Sequence, residues 1–253
     1  MDPQAALFQF ALRMGDSCLV LGHRVSEWCG HAPVIEEDIA LANTALDLIG
    51  QTQMWLGLAG EVEGAGRSAD DLAFLRDAWD FRNLLLTEMP NGDFGQTIMR
   101  QFLFDAWHVA ALKALADSAD DRVAAIAAKA GKEAAYHLER SSDTVIALGD
   151  GTDESHARMQ AALDYLWPYA GEAFIGDDGD TMLAGAGIAP DPASLRPAFD
   201  ATLAQVTEAA TLQLPGNPFA HRGGRNGTMH TEYLGHILTQ MQWLQRAYPG
   251  ASW

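Results

Sequence analysis

The chain has 253 residues, enough for one large helical domain, or two small ones, with a substantial buried core. Lys and Arg number 16 against 34 Asp and Glu, which gives a formal net charge of −18. A field of that sign repels phosphate backbones and anionic lipid surfaces, so binding to nucleic acid or to a membrane is not expected. It also disfavours small polyanionic ligands, unless cations gather at the binding site.

The two cysteines, Cys18 and Cys29, are expected in one helix, where eleven residues of rise separate them by roughly 16 Å, too far for a disulfide. Neither belongs to a Cys-x-x-Cys pair, so a reducing compartment is the simplest interpretation. The N-terminal segment carries an acid, Asp2, and lacks the basic start of a signal peptide. Apolar runs are broken by Asp, Gln or Gly before about 20 residues, which predicts a cytoplasmic protein without a transmembrane helix.

Apolar residues recur at steps of three and four from the start of the chain, a pattern that predicts helices. The first predicted helix ends near residue 28. Capping and turn residues place the other predicted helices at about 35–62, 69–88, 94–116, 121–148, 153–175, 194–214 and 229–248. Thr152 is the expected N-cap of the sixth helix. The longest predicted irregular stretch is Gly176 to Pro197, and the loop PGNPFAHRGGRNG precedes the last helix.

No strand-type alternation is bounded by hairpin turns, so the predicted fold class is all-α. The first, second, fourth and fifth helices have the lengths and order of an antiparallel four-helix bundle, and the others are additions to it. The sequence therefore predicts a single helical domain over 1–253.

A helical bundle can hold a metal, because carboxylate-bridged di-iron sites draw Glu and Glu-x-x-His from facing helices. No Glu in this sequence is followed three residues later by His. Asp-x-x-His occurs twice, as Asp105 with His108 and as Asp153 with His156. Asp105 lies on an apolar stripe, where a buried acid must find a partner. Asp153 opens a helix, where the helix dipole explains an acid without a metal.

His137 also lies on an apolar stripe, that of the fifth helix. A lone core histidine is more often a hydrogen-bonded structural residue than a ligand. His137 and Asp105 could form an ion pair, or they could hold one metal with a third ligand such as Glu27. Glu27 lies beside His23 and Arg24, where a salt-bridged surface explains it equally well.

Other chemistries have less support in the sequence. There is no GxSxG and no phosphate-binding glycine loop, and no strand precedes the glycines of HRGGRNG. Arg222 and Arg225 in that loop could meet an anion or an acidic partner.

Six blocks cover nearly the whole chain in order: LRMGDSCLVLGHRVSEWCGHAP, DIALANTALDLIGQ, FRNLLLTEMPNGDF, FDAWHVAALK, GKEAAYHLERSSDTVIALGDGTDES and HTEYLGHILTQMQWLQRAYPG. Together they resemble the structural, C-type subunits of the multicomponent phenylacetyl-CoA 1,2-epoxidases. That resemblance implies a ferritin-like, long-helix fold and a role in aerobic phenylacetate degradation.

The resemblance also implies a degenerate metal site. The positions that correspond to metal ligands of the family's catalytic subunit are Glu27, Leu48, Gln51, Asp105, Ala134 and His137. Leu48 and Gln51 stand where a Glu-x-x-His is expected, and Ala134 replaces a further Glu. Too few donors remain for two irons. The resemblance therefore implies no metal and no catalytic residue in this chain, with the di-iron centre in a partner subunit.

The implied role is that of a non-catalytic subunit, which packs against a homologous catalytic, A-type subunit, stabilises it and helps to form the CoA-ester site. Other epoxidase subunits and a reductase complete the expected complex. The residues that correspond to family contacts with the acyl-CoA are Asp80, Phe81, Arg82, Asn83, Thr181, Met182 and Leu183.

Two alternatives remain open. The chain could itself be a ferritin-like metal-dependent oxygenase that uses Glu27, Asp105, His108 and His137, although the missing Glu-x-x-His argues against this. It could also be a helical adaptor unrelated to oxygenases, which would be favoured if no catalytic partner co-purified.

Overall fold

The computed structural model describes residues 2–216 and 221–251, and within them the protein is helical with no β-strand. The ten α-helices are α1 (Pro3–Ser26), α2 (Ile35–Glu63), α3 (Ala69–Phe74), α4 (Leu85–Glu88), α5 (Phe94–Leu115), α6 (Asp121–Gly149), α7 (Asp153–Ala170), α8 (Asp178–Gly185), α9 (Arg196–Ala209) and α10 (Glu232–Ala247). Short 3-10 turns span Ala78–Asp80, Glu172–Phe174, Pro192–Leu195 and Gly224–Asn226. The all-α prediction is confirmed, and the long helices have the lengths and order of a ferritin-like fold.

The chain divides into two compact units. The first unit comprises Met1–Glu88 and Gly223–Trp253, and the second comprises Met89–Arg222. Each unit holds one pair of long helices, α1 with α2 and α5 with α6. The single domain expected over 1–253 stays a prediction.

In the first unit, α1 and α2 pack closely because glycines of α1 lie where α2 crosses it. A Cβ atom on Gly15 would lie 2.7 Å from Leu56 Cδ2, and one on Gly22 would lie 3.3 Å from Leu48 Cβ. Moving forward along α1 therefore means moving backward along α2, so the pair is antiparallel. The hydroxyl of Thr52 adds a 3.4 Å hydrogen bond to the carbonyl of Gly15.

Also in the first unit, α10 packs on α1 and α3. The side-chain amide of Gln242 donates to the carbonyls of Ala73 and Arg76, both at 3.0 Å. These bonds satisfy carbonyls at and after the end of α3, which a helix leaves without intrahelical partners.

In the second unit, α5 is the central helix and packs against α6, α7 and α9. It is buried on nearly all sides, whereas α6 is buried along one stripe that includes Val123, Ala127, Ala130 and Ala134. The link between the two helices spans only residues 116–120, which makes them antiparallel neighbours.

The N-terminal helix α1 is long and apolar enough to cross a membrane by length and composition alone. No other helix in the described part of the chain meets that test. Because 83% of its most apolar 18-residue window is buried inside the fold, α1 has the burial of a core helix.

One continuous helix over 69–88 was a wrong prediction. The structure ends α3 at Phe74 and turns the chain before α4 begins at Leu85. Arg76 is buried there, and its guanidinium donates to both carboxylate oxygens of Asp16. The Asp80 carboxylate accepts the backbone N–H of Asp77 at 3.2 Å. These local and tertiary bonds compete with the helical ladder and break it.

The expectation of an irregular stretch from Gly176 to Pro197 was also wrong, because it contains α8 and a 3-10 turn. Asp177 caps α8 by accepting from the N–H groups of Gly179 and Asp180, at 2.9 and 3.0 Å. The Asp180 carboxylate accepts the N–H of Asp177 in return. The acids and glycines that suggested a loop thus form a capping box.

The predicted N-cap Thr152 is confirmed, since its hydroxyl accepts the N–H of Ser155 at 3.1 Å.

Candidate functional site

The buried acid predicted on α5 is the centre of a polar network in the second unit. Asp105 is fully buried. One of its carboxylate oxygens accepts from the Gln101 amide at 2.7 Å, and the other accepts from the Ser141 hydroxyl of α6 at 2.9 Å. The network thus joins α5 to α6, and both oxygens that a metal would need already accept hydrogen bonds.

Neither Gln101 nor Ser141 was foreseen from the sequence. Gln101 lies one helical turn before Asp105, and Ser141 lies one turn after His137, so each has the i, i+4 spacing that puts it on the same face. That spacing was the available signal, but the sequence does not show which of the polar neighbours points inward.

Burial raises the pKa of Asp105 from 3.8 to about 6, because the charged form loses its hydration. The nearby His137 and the hydrogen bonds from Ser141 and Gln101 oppose that rise. An acid in this environment is partly protonated in mildly acidic solution.

The two histidines of this region are buried in the same unit. His137 lies on α6 with 2% of its surface exposed and acts electrostatically on both Asp105 and His108. His108 is fully buried next to Phe104 and Trp107, with its ring stacked on that of Trp107 at an interplanar angle of 17°.

Within the described residues, neither ring nitrogen of His108 has a hydrogen-bond partner. Burial lowers the pKa of His108 to about 3, and the electrostatic effect of the nearby His137 lowers it further. His108 is therefore a neutral ring in an apolar setting.

Three of the positions that correspond to metal ligands lie in the first unit, and each serves local structure. Glu27 follows the end of α1, is 39% exposed at its side chain and pairs with Arg24 at 3.3 Å. Leu48 is fully buried on α2. Gln51 is also fully buried, and its side-chain oxygen lies 3.8 Å from the Cys18 sulfur, a weak hydrogen bond.

The remaining position, Ala134, is buried on α6 and offers no donor atom. Leu48 and Ala134 cannot bind a metal, Gln51 has a neutral amide, and Asp105 is held by its neighbours. Among the residues that the structure describes, no group of three or more His, Cys, Asp or Glu side chains could hold a metal ion. The donor set does not fit a two-iron centre, which needs several carboxylates and histidines.

Four of the predicted acyl-CoA contacts form an internally bonded segment in the first unit. Phe81 and Asn83 are fully buried, and the Asn83 amide donates to Glu88 at 2.9 Å. The Arg82 side chain donates to Gln9 at 3.0 Å and to the carbonyls of Trp79 and Phe81 at 2.9 and 2.7 Å. Asp80 is exposed. The polar atoms of this segment thus serve the fold, and the contact with a CoA ester stays a prediction.

The other predicted contacts lie on α8 in the second unit. Thr181 is exposed and its hydroxyl donates to the Asp177 carbonyl at 3.1 Å, whereas Leu183 is buried. Met182 is half-buried between them. Their role in substrate binding also stays a prediction.

The second Asp-x-x-His pair is structural, as expected. His156 places its Nδ1 atom 2.8 Å from the Gly149 carbonyl, at the end of α6, while Asp153 is exposed in the first turn of α7. Of the two loop arginines, Arg222 is exposed, and the Arg225 carbonyl accepts from the Arg13 guanidinium at 2.8 Å.

Comparison with known proteins gives two matches over nearly the full length. The family model of the phenylacetic acid catabolic proteins matches residues 2–253. The C-type subunit of the 1,2-phenylacetyl-CoA epoxidase of Escherichia coli is 49% identical over 247 residues, which cover 98% of this chain and 99% of that relative. The resemblance to C-type epoxidase subunits is confirmed.

Proposed function

Because this chain belongs to the phenylacetic acid catabolic protein family, we propose that it is the C-type, non-catalytic subunit of a phenylacetyl-CoA epoxidase complex. The observation that carries this proposal is the 49% identity to a C-type epoxidase subunit along nearly the whole of both chains.

The non-catalytic part of the proposal is supported by the donor set. Leu48 and Ala134 have no ligand atoms, and the Asp105 carboxylate is held by Gln101 and Ser141. In this proposal, the hydrogen-bonded network occupies the part of the core where a catalytic subunit would hold its metal. Its role is to fix the register of α5 against α6, because a register shift would leave buried polar groups without partners.

The proposed partners are a homologous A-type subunit that holds the di-iron centre, the other epoxidase subunits and a reductase, in the cytoplasm. This chain would carry no metal of its own. It would keep the catalytic subunit ordered and contribute to the site for the CoA ester, where the Asp80–Asn83 and Thr181–Leu183 segments are the proposed contacts.

Reconstitution of the epoxidase tests this proposal. Conversion of phenylacetyl-CoA should require this chain, because the catalytic subunit lacks its scaffold without it. The Asp105→Asn variant should restore conversion to within about twofold of wild type. Asparagine has the shape of aspartate, and the side chain at position 105 is proposed to act on no substrate. A loss of ~100-fold or more, the size typical of a catalytic acid or base, would instead make this chain a catalyst.

A further inference from the structure

The exposed side of α2 is unusually apolar for a helix that faces water. Ten residues of α2 are exposed, and only two of them, Glu36 and Glu61, are charged. On α6 of the same protein, eleven residues are exposed and six are charged. The exposed side of a surface helix normally carries polar and charged residues. The difference indicates that α2 faces something other than solvent in the working protein.

The apolar and small residues of this side form one seam. The α2 stripe, as we name it, consists of Ile35, Ile39, Leu46, Ile49, Gly50 and Gly57. Ile35 is 72% exposed, Ile39 is 57% exposed and Leu46 is 66% exposed. The steps of three, four and seven keep the stripe on one face for 22 residues, or about 33 Å. Exposed Gln53 lies on the same face, so the seam is apolar except at that position, and its length fits a second helix lying along α2.

Two glycines of the stripe leave the backbone of α2 uncovered, a feature that Gly131 of α6 shares. A Cβ atom added to Gly50 or Gly57 would meet no atom within 4 Å. Packing within the described chain therefore does not explain the missing side chains, although glycine inside a helix is less stable than alanine. Glycines let another backbone approach closely. The space above Gly50 and Gly57 is open, so a second helix can approach the backbone of α2 there.

The charge of α2 decides what kind of chain can occupy the stripe. α2 contains six acidic residues and no Lys, Arg or His. A second copy of this chain would bring two such helices together, and two molecules of net charge −18 repel each other. A helix with Lys or Arg along its edges would instead gain from the same field.

We infer that the α2 stripe is a docking surface for a helix of a different polypeptide, apolar along the seam and basic along its edges. The inference rests on the proposed function, within which that polypeptide is another component of the epoxidase complex. Leu46 lies near the middle of the seam, where interface residues contribute most.

Thiol labelling of the assembled complex tests the inference. In a Cys29→Ser background, where the remaining native cysteine, Cys18, is buried, Leu46→Cys reports on the stripe. Ala135→Cys on the exposed side of α6 is the matched control. A maleimide should label both thiols quickly in the lone chain. On co-expression with the other subunits, labelling at position 46 should slow by ~10-fold or more, as for a group moved from surface to interface core.

A second pair of variants separates docking from folding. Gly50→Ala and the control Gly131→Ala on α6 both add a Cβ that meets nothing within 4 Å. Both should raise the Tm of the lone chain by about 1–4 °C, because alanine is the better helix former. Gly50→Ala alone should weaken the complex, by ~10-fold or more in Kd.

The outcomes separate the two claims. If the complex forms but position 46 stays as reactive as position 135, the docking inference is wrong and the proposed function stands. If the wild-type chain forms no complex, the proposed function fails and the inference fails with it. Protection at position 46 that appears in the lone chain as its concentration rises would identify a second copy as the occupant, against the inference.

Discussion

Asp105 illustrates how far single residues can be understood from the sequence. Its place on an apolar stripe identified it as a buried acid, and the same pattern placed His137 inward. The two groups that hold its carboxylate, Gln101 and Ser141, could not be deduced, because which polar neighbour turns inward depends on the packing of α5 against α6. The burial of Asp105 and His137 was predictable from the sequence, and the hydrogen-bond partners of Asp105 were not.

Asp105→Asn should remove a pH dependence of stability. The pKa of Asp105 is raised from 3.8 to about 6 in the folded state, so its stabilising effect is present below pH 3.8 and is lost as the pH rises through about 6. Asparagine lacks this titration. The free energy of unfolding of the variant, minus that of wild type, should therefore increase by up to about 3 kcal/mol between pH 4 and pH 7.

Urea denaturation at both pH values measures that difference. The side chain of Gln101 can accommodate the variant, since its Oε1 atom has no hydrogen-bond partner among the described residues and can accept from the new amide after a flip. Asp105→Ala is the contrasting control, because it leaves buried donors unpaired and should destabilise the fold by about 1–3 kcal/mol. A pH-independent difference for Asp105→Asn would contradict the account.

His108→Leu should stabilise the protein increasingly as the pH falls. The pKa of His108 is lowered from 6.5 to about 3, so its contribution to stability is present above pH 6.5 and is lost as the pH falls toward 3. Leucine keeps the apolar contacts with Phe104 and Trp107 and does not titrate. The advantage of the variant in unfolding free energy should grow by about 2 kcal/mol from pH 7 to pH 5. Equal differences at the two pH values, measured in urea, would show that His108 is not a buried neutral ring.

Among the helices, hydrophobic periodicity was sufficient to locate the ends of those that are long. The bounds of α2, α5 and α6 lie within about one residue of the predictions. Periodicity was insufficient between 69 and 88, because the buried ion pair of Arg76 with Asp16 is a contact between distant parts of the sequence. It also failed at α8, where a capping box outweighs a composition typical of loops.

Two glycines on α2 should respond to alanine in opposite ways. A Cβ on Gly60 would collide with the backbone carbonyl of Arg67, which cannot move without shifting the chain after α2. Gly60→Ala should therefore lower the free energy of unfolding by about 1–3 kcal/mol. Gly57→Ala adds a Cβ in open space and should raise it by about 0.5–1 kcal/mol. Thermal unfolding of both variants compares the signs, and a stabilising Gly60→Ala would refute this packing.

At the scale of the whole molecule, composition excluded partners more readily than it identified them. The charge of −18 argued against nucleic acid and membrane surfaces, and the missing Glu-x-x-His argued against a di-iron centre. The family followed from blocks of sequence spread along the whole chain, and the near full-length match to a C-type epoxidase subunit bears it out. Which surface meets a partner could not be deduced from sequence, since the α2 stripe becomes apparent only once burial separates the two sides of α2.

The central claim is that this chain is a subunit without a metal of its own, and its iron content tests that claim most directly. Elemental analysis should be made on the purified lone chain and on the complex co-expressed with the other epoxidase subunits. We expect no iron above background in the lone chain and stoichiometric iron in the complex. Stoichiometric iron in the lone chain that disappears with Asp105→Ala would contradict that claim and make this chain itself a candidate oxygenase.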